Sequence, residues 1–183
     1  METAISKFGK LNGLVLNHGV LTPLGKISDV KPEEFLECLN INTVSLLNPI
    51  QKSLDYLRES KGNVVFVSSG AATGSYAAWG AYNSSKAAMN SICRTLANEE
   101  PDITSIAVRP GVVDTDMQGQ IRLLGDAHML PNDYKKFYDL FTNNKLVKAD
   151  EPAKVLAELV VNKKHQYNGQ LLSFDGEELK DLR

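Results

Sequence analysis

The chain has 183 residues, 43% of them hydrophobic and 23% charged, enough for one domain with a sizeable core. Lys plus Arg is 20 and Asp plus Glu is 22, a formal net charge of −2, which offers no electrostatic attraction to nucleic acid or to a membrane surface. No apolar run reaches the length of a membrane span, and the first ten residues carry no secretory apolar core.

Met1 to Phe8 predicts the last two turns of a helix, stopped by Gly9. Leu11 to Asn17 follows as a short buried strand, with Leu14, Val15 and Leu16 consecutive and apolar. Pro32, Glu33 and Glu34 open a helix, proline suiting its first position and the acids its positive end. Helical spacing of Leu36, Leu39, Leu47, Ile50, Leu54 and Leu57 carries that helix to about residue 58. Asn63 to Ser68 is a second buried strand. Ala81 to Asn98 is an Ala- and Ser-rich helix. Ile103 to Val108 is a third strand, stopped by Pro110-Gly111. Thr115 to Asn144 predicts an irregular stretch with two short helices. Asp150 caps a helix that runs to Lys163 and Lys164, and Gln170 to Phe174 is a last strand. Strands alternating with helices of this length predict an α/β fold, a parallel sheet with helices on both faces.

Tyr82 and Lys86 stand four apart on the Ala-rich helix, so both side chains share one face. An ammonium near a phenol favours the phenolate, which makes such a pair a candidate general acid/base. Alone the spacing is common on solvated helices. Ser68-Ser69 directly follows a buried strand, at the end of the sheet where open α/β folds bind ligands. Asn42 interrupts an apolar helix face and reads equally as a satisfied core amide or as a functional group. His18, His128 and His165 are scattered without metal-ligand spacing, so no metal site is expected. Cys38 and Cys93 have no paired spacing. Reduced thiols and a cytoplasmic setting are the economical reading, with a single disulfide as the alternative.

The run Gly62-Asn63-Val64-Val65-Phe66-Val67-Ser68-Ser69, followed by Tyr82-Asn83-Ser84-Ser85-Lys86, resembles the catalytic core of the short-chain dehydrogenase/reductase family. Leu14 to Val20 is similar to that family's N-N-A-G segment, with Leu16 and His18 departing from it. Arg109 to Met117 is similar to its P-G motif and following threonine. Val64 to Ala72 and Glu99 to Met117 resemble the fungal benzil-reductase and sepiapterin-reductase-like group.

The resemblance implies reduction of a ketone or diketone by hydride from NADP(H), favoured over NAD(H). It implies that Ser69 binds the carbonyl, Tyr82 donates the proton, Lys86 holds the nicotinamide ribose and lowers the Tyr82 pKa, and Asn42 places Lys86 through a water. It also implies that Asn17 and Gly19 line the cofactor cleft, and that Val113 and Thr115 contact the nicotinamide. Residues 110–148 would form a substrate lid, and helices 32–58 and 81–98 a homodimer interface. No match to the family's glycine-rich phosphate turn is found. The expected fold is therefore the C-terminal portion of a Rossmann-like doubly wound sheet, about four strands in one partial domain over residues 1–183, with the first three strands absent. Two readings compete with a reductase. One is a non-catalytic remnant that acts by association. The other is a Ser69/Lys86 hydrolase, weakened because Ser69 lies in no G-x-S-x-G turn.

Overall fold

The structure, a computed structural model, describes residues 2–183; Met1 of the expected N-terminal helix lies outside the described residues. In chain order the elements are α1 (Glu2–Phe8), β1 (Gly13–Leu16), α2 (Pro32–Asn42), α3 (Leu47–Ser60), β2 (Asn63–Val67), α4 (Gly80–Glu99), β3 (Thr104–Arg109), α5 (Asp116–His128), α6 (Pro131–Thr142), α7 (Asp150–Val161) and β4 (Leu171–Ser173). Gly9 ends α1 with φ +73°, and its N–H reaches the Ile5 carbonyl at 2.7 Å. That left-handed stop suits a residue without a Cβ.

The four strands form one parallel sheet in the order β1-β2-β3-β4, with Val15 beside Val65, Val65 beside Ile106, and Ala107 beside Leu171. This is the Rossmann-like α/β architecture expected. The unbroken apolar run of β2 is explained by two covered faces. Val64 and Phe66 pack with Leu46, Ile50, Leu57, Met89 and Leu96 of the α3–α4 layer. Val65 turns the other way, into a core with Ile106, Val108, Val155, Leu159 and Leu179 that includes the α7 layer. Burying a side chain such as Phe66 contributes about 2–3 kcal/mol.

Three expectations need correction. The helix expected across 32–58 is two helices, joined by a tighter turn at Val44–Leu46. Asn42 and Thr43 cause the break by bonding side chains to other segments. Pro49 then falls in the first turn of α3, where a missing N–H costs nothing. The stretch expected to be irregular holds two full helices, α5 and α6. Gly125 allows them to cross closely, since a Cβ there would lie 2.8 Å from the Tyr134 ring and 3.0 Å from Met129 Sδ. Finally, α7 begins at Asp150 behind Ala149 with no side-chain cap and ends at Val161, short of Lys163 and Lys164.

A third apolar cluster, with Leu21, Ala71, Trp79, Tyr82, Ile121, Met129 and Phe137, sits beyond the carboxyl ends of the strands under α5 and α6. It forms one wall of the candidate site.

Candidate active site

The carboxyl ends of β1, β2 and β3, the first turn of α4 and the α5–α6 segment enclose a cleft of about 1120 Å³. Asn17, Gly19, Ser69, Tyr82, Lys86, Val113 and Thr115 all line it. Of the expected site residues, only Asn42 is absent from the lining; it lies fully buried one layer behind.

Ser69 leaves β2 in an extended conformation and opens a short turn over Gly70–Ala72, its Oγ accepting the Ala71 N–H at 3.1 Å. The hydroxyl is thus aimed by the backbone rather than by packing. Its neighbour Ser68 is buried and donates to Asn90 Oδ1 at 2.7 Å. The order Ser68 inward, Ser69 outward follows from strand alternation at the end of β2.

Tyr82 and Lys86 occupy one face of α4, and both are buried. Lys86 Nζ donates to the Val67 carbonyl at 2.8 Å and stands 5.8 Å from the centre of the Tyr82 ring. Burial pushes the Lys86 ammonium down to about 8, with the nearby Cys38 thiol pulling the other way. Burial also pushes the Tyr82 phenol up, partly offset by the Ser69 side chain. Desolvation of the buried phenol thus acts against the lowering expected from Lys86. The result is a buried phenol on the same cleft wall as a serine hydroxyl and an ammonium with donors to spare.

Behind this pair runs a hydrogen-bonded chain. Asn42 Nδ2 donates to Ser85 Oγ at 3.0 Å, and Ser85 Oγ donates to the Tyr82 carbonyl at 2.8 Å. Thr43 Oγ1 donates to the Ser85 carbonyl at 2.9 Å. Gly19 packs against the same group: a Cβ there would lie 3.2 Å from Asn42 Oδ1 and 3.4 Å from Lys86 Nζ. Only a small residue leaves Lys86 open to the cleft at this point.

Among the described residues no cluster of metal-ligating side chains occurs. His18 pairs with Ser45 Oγ at 2.7 Å and His165 with Thr104 Oγ1 at 3.1 Å. Cys38 and Cys93 are buried and unpaired, so the disulfide alternative falls. No described helix is long and apolar enough to cross a membrane.

Residues 1–123 match the family model for short chain dehydrogenase. The chain belongs to the short-chain dehydrogenase family. An uncharacterized oxidoreductase of Schizosaccharomyces pombe is 43% identical over 95% of this chain and 71% of its own length. A benzil reductase ((S)-benzoin forming) of Saccharomyces cerevisiae is 39% identical over 98% of this chain and 72% of its own. The crystal structure of a short-chain dehydrogenase/reductase from the same yeast superposes with a TM-score of 0.96 at 40% identity, covering 99% of this chain and 72% of that one. This short-chain dehydrogenase is accordingly an oxidoreductase-type enzyme.

The residues present fit the nicotinamide end of a dinucleotide. Gly19 leaves open the space beside Lys86 Nζ, and Asn17, Val113 and Thr115 border the same cleft. Sequence reasoning missed other lining residues of this dehydrogenase: Tyr76, Trp79 and Lys136. Trp79 stacks on Phe137 with ring centres 5.2 Å apart, and Lys136 Nζ donates to Tyr76 Oη at 2.8 Å, tying α6 to the segment before α4. One signal was available for Trp79: it is the single tryptophan of the chain and stands three residues before Tyr82.

Proposed function

We propose that this short-chain dehydrogenase reduces a ketone or diketone to the alcohol at Ser69, Tyr82 and Lys86. The observation that carries the reading is the buried Tyr82 phenol sharing one cleft with Ser69 and Lys86. Ser69 Oγ holds the substrate carbonyl oxygen. Tyr82 Oη gives it the proton as general acid. A nicotinamide dinucleotide, when bound, supplies the hydride. Lys86, anchored by the Val67 carbonyl, keeps two further N–H donors for the ribose hydroxyls. Asn42 acts through Ser85 and Gly19, as a positioning residue for the Tyr82–Lys86 turn. Asn17, Gly19, Val113 and Thr115 border the nicotinamide.

Residues 1–183 act as one partial Rossmann-like domain, with residues 110–148 as its substrate lid. The apolar wall of Trp79, Phe137, Ile121 and Met117 suits an aromatic ketone. The benzil reductase named among the relatives supports the same substrate class. NADP(H) is the preferred donor, on the resemblance to that group. A homodimer pairs the segments 32–58 and 81–98, in keeping with the exposure of Leu36 on α2, Val44 in the turn and Leu47 at the start of α3. A cytoplasmic location accords with two unpaired thiols. The competing reading, a non-catalytic chain that works by association, draws on the open β1 edge, where Val15 is 40% exposed.

The test is turnover of benzil by the purified chain, followed as NADPH oxidation with NADH as comparison. The expected result is reduction that is faster with NADPH. In Tyr82→Phe the rate should fall by about 10²–10⁴ with unfolding free energy within about 1 kcal/mol of wild type. No reduction by the folded chain, or near-normal turnover in Tyr82→Phe, overturns the reading.

A further inference from the structure

The charged residues that line the cleft are Lys86, Arg109, Asp116, Lys136 and Asp175. Lys86 belongs to the reacting group. Arg109 ends β3, Asp116 opens α5 and Asp175 follows β4. Lys136 comes from α6 and stands among the aromatic rings of the wall, where no step of the proposed reduction uses it.

The Lys136 ammonium is held in place without a counter-charge. Its Nζ donates to Tyr76 Oη at 2.8 Å and lies 5.3 Å from the Tyr76 ring centre and 5.6 Å from that of Phe137. Aromatic faces attract a cation but leave its charge uncompensated. Lys136 joins no ion pair among the described residues. One N–H is spent on Tyr76, so two remain, and a phenol that accepts this bond keeps its own O–H to donate. The Lys136 side chain is exposed, so a molecule entering the cleft can reach it. Tyr76 packs on Trp79 at 4.9 Å, and Trp79 meets Tyr82 at 5.7 Å. The paired donors therefore stand one aromatic ring beyond the reacting phenol.

We propose, resting on the carbonyl-reductase reading, that Lys136 and Tyr76 form a carboxylate subsite, so that the preferred substrate is a ketone with an anionic group on the far side of an aryl ring. The ketone oxygen engages Ser69 and Tyr82, and the ring lies along the aromatic wall. One carboxylate oxygen accepts from the Lys136 ammonium and the other from the Tyr76 hydroxyl. An ammonium held by a neighbour needs less ordering when the anion arrives, and hydrogen bonds between opposite charges are stronger than neutral ones. The chain as a whole carries a net charge of −2 and does not attract anions, so the pull of this subsite is local.

Calorimetric titration of the wild-type chain with 4-acetylbenzoate and with 4-acetylbenzamide, in the presence of NADP⁺, tests this. The two share ring and ketone, and the amide is a neutral counterpart of the carboxylate in size. The carboxylate should bind about five- to tenfold tighter, the worth of a charge-assisted contact discounted for its exposure. Lys136→Gln removes the charge and keeps a donor for Tyr76 Oη, and it should bring the ratio of the two affinities to about one. Any cost to the wall itself falls on both ligands alike. Lys136→Glu should reverse the order of the two ligands. In wild type, raising the salt from ~0.05 to ~0.5 M should erode the carboxylate's advantage. Equal affinities in wild type, an advantage untouched by salt, or no binding of 4-acetylbenzoate overturns the inference. So does an advantage that survives Lys136→Gln, which would place the anion at Lys86 or Arg109. The carboxylate bound with its advantage but not reduced by NADPH refutes the reductase reading and leaves this one standing. Both ketones reduced with equal affinities refutes this one and leaves the reductase.

Discussion

Asn42 and Val20 exchange two hydrogen bonds: the Val20 N–H donates to Asn42 Oδ1 at 2.7 Å, and Asn42 Nδ2 donates to the Val20 carbonyl at 2.8 Å. One amide side chain thus satisfies both backbone groups of Val20 in the segment that leaves β1. The same nitrogen reaches Ser85, so the β1 loop, the α2 terminus and the Tyr82–Lys86 turn are joined at one buried residue. An asparagine at the end of α2 ends the helix and ties three elements at once.

Removing that amide should be costly. Asn42→Ala leaves both Val20 backbone groups and Ser85 Oγ short of a partner, a loss of about 2–3 kcal/mol. Urea unfolding of the variant should show a lowered midpoint with an unchanged slope. Because Gly19 packs on the same amide, cofactor affinity should fall as well. A variant as stable as wild type would mean that Val20 finds other partners.

Lys86 should leave a signature in the pH dependence of stability. Its folded value is about 8 against an ordinary 10.5, so burial disfavours the charged form. Below pH 8 both folded and unfolded chains hold the proton, and the penalty is present in full. As pH rises through 8 the folded chain releases its proton first, and stability from this group rises by up to about 3 kcal/mol in all. Cys93, raised to about 11 by burial, acts with the opposite sign above its ordinary value of 9.0, and Cys38 is also raised. The window in which Lys86 dominates is therefore pH 8 to 9. Urea unfolding at pH 7, 8 and 9 should show wild type gaining on Lys86→Met as pH rises. A constant difference between the two proteins would mean that Lys86 is not held against its preferred charge state.

The fold was legible wherever one rule acted alone. The continuous apolar run of β2 announced a strand covered on both faces, and the β2-to-α4 spacing put Ser69 and Tyr82 in one cleft. The break at Asn42 was hidden because the apolar spacing from Leu36 to Leu57 runs on through it. Periodicity does not register a side chain that leaves its own helix to bond another segment. Helices α5 and α6 were obscured by Gly119, Gly125 and many polar residues, which lower intrinsic helix preference. Tertiary packing at Gly125 supplies what propensity lacks. The upward shift of the Tyr82 pKa was also out of reach, since it depends on burial in a cluster to which Leu21, Ile121 and Phe137 are contributed from other segments.

Gly13 gives a test of the packing between β1 and α7. A Cβ at this position would lie 2.3 Å from Val160 Cγ1 and 3.4 Å from the Asn63 carbonyl. Gly13→Ala should push α7 off the sheet and cost about 1–3 kcal/mol. Gly119→Ala is the control: it lies in α5, its nearest neighbour is Arg122 Nη2 at 4.0 Å, and it should stabilise by about 0.5–1 kcal/mol. Thermal unfolding of the two variants should move in opposite directions. A harmless Gly13→Ala would mean that Val160 turns away and the α7 contact is loose.

The last expectation concerns how the lid is held. Lys136 Nζ donates to Tyr76 Oη at 2.8 Å and lies 5.3 Å from the Tyr76 ring centre and 5.6 Å from that of Phe137. These contacts are at the surface, so Lys136→Ala should cost the whole protein no more than about 1 kcal/mol. Locally the effect should be larger, because this is the hydrogen bond that links α6 to the segment carrying Tyr76 and Trp79. Amide exchange in α6 should quicken while β2 and β3 stay protected. For ketone reduction the loss should appear as a several-fold rise in KM with kcat little changed, since Lys136 touches the wall and not the Ser69–Tyr82 pair. A fall in kcat with KM unmoved would instead place Lys136 among the groups that act on the reacting carbonyl.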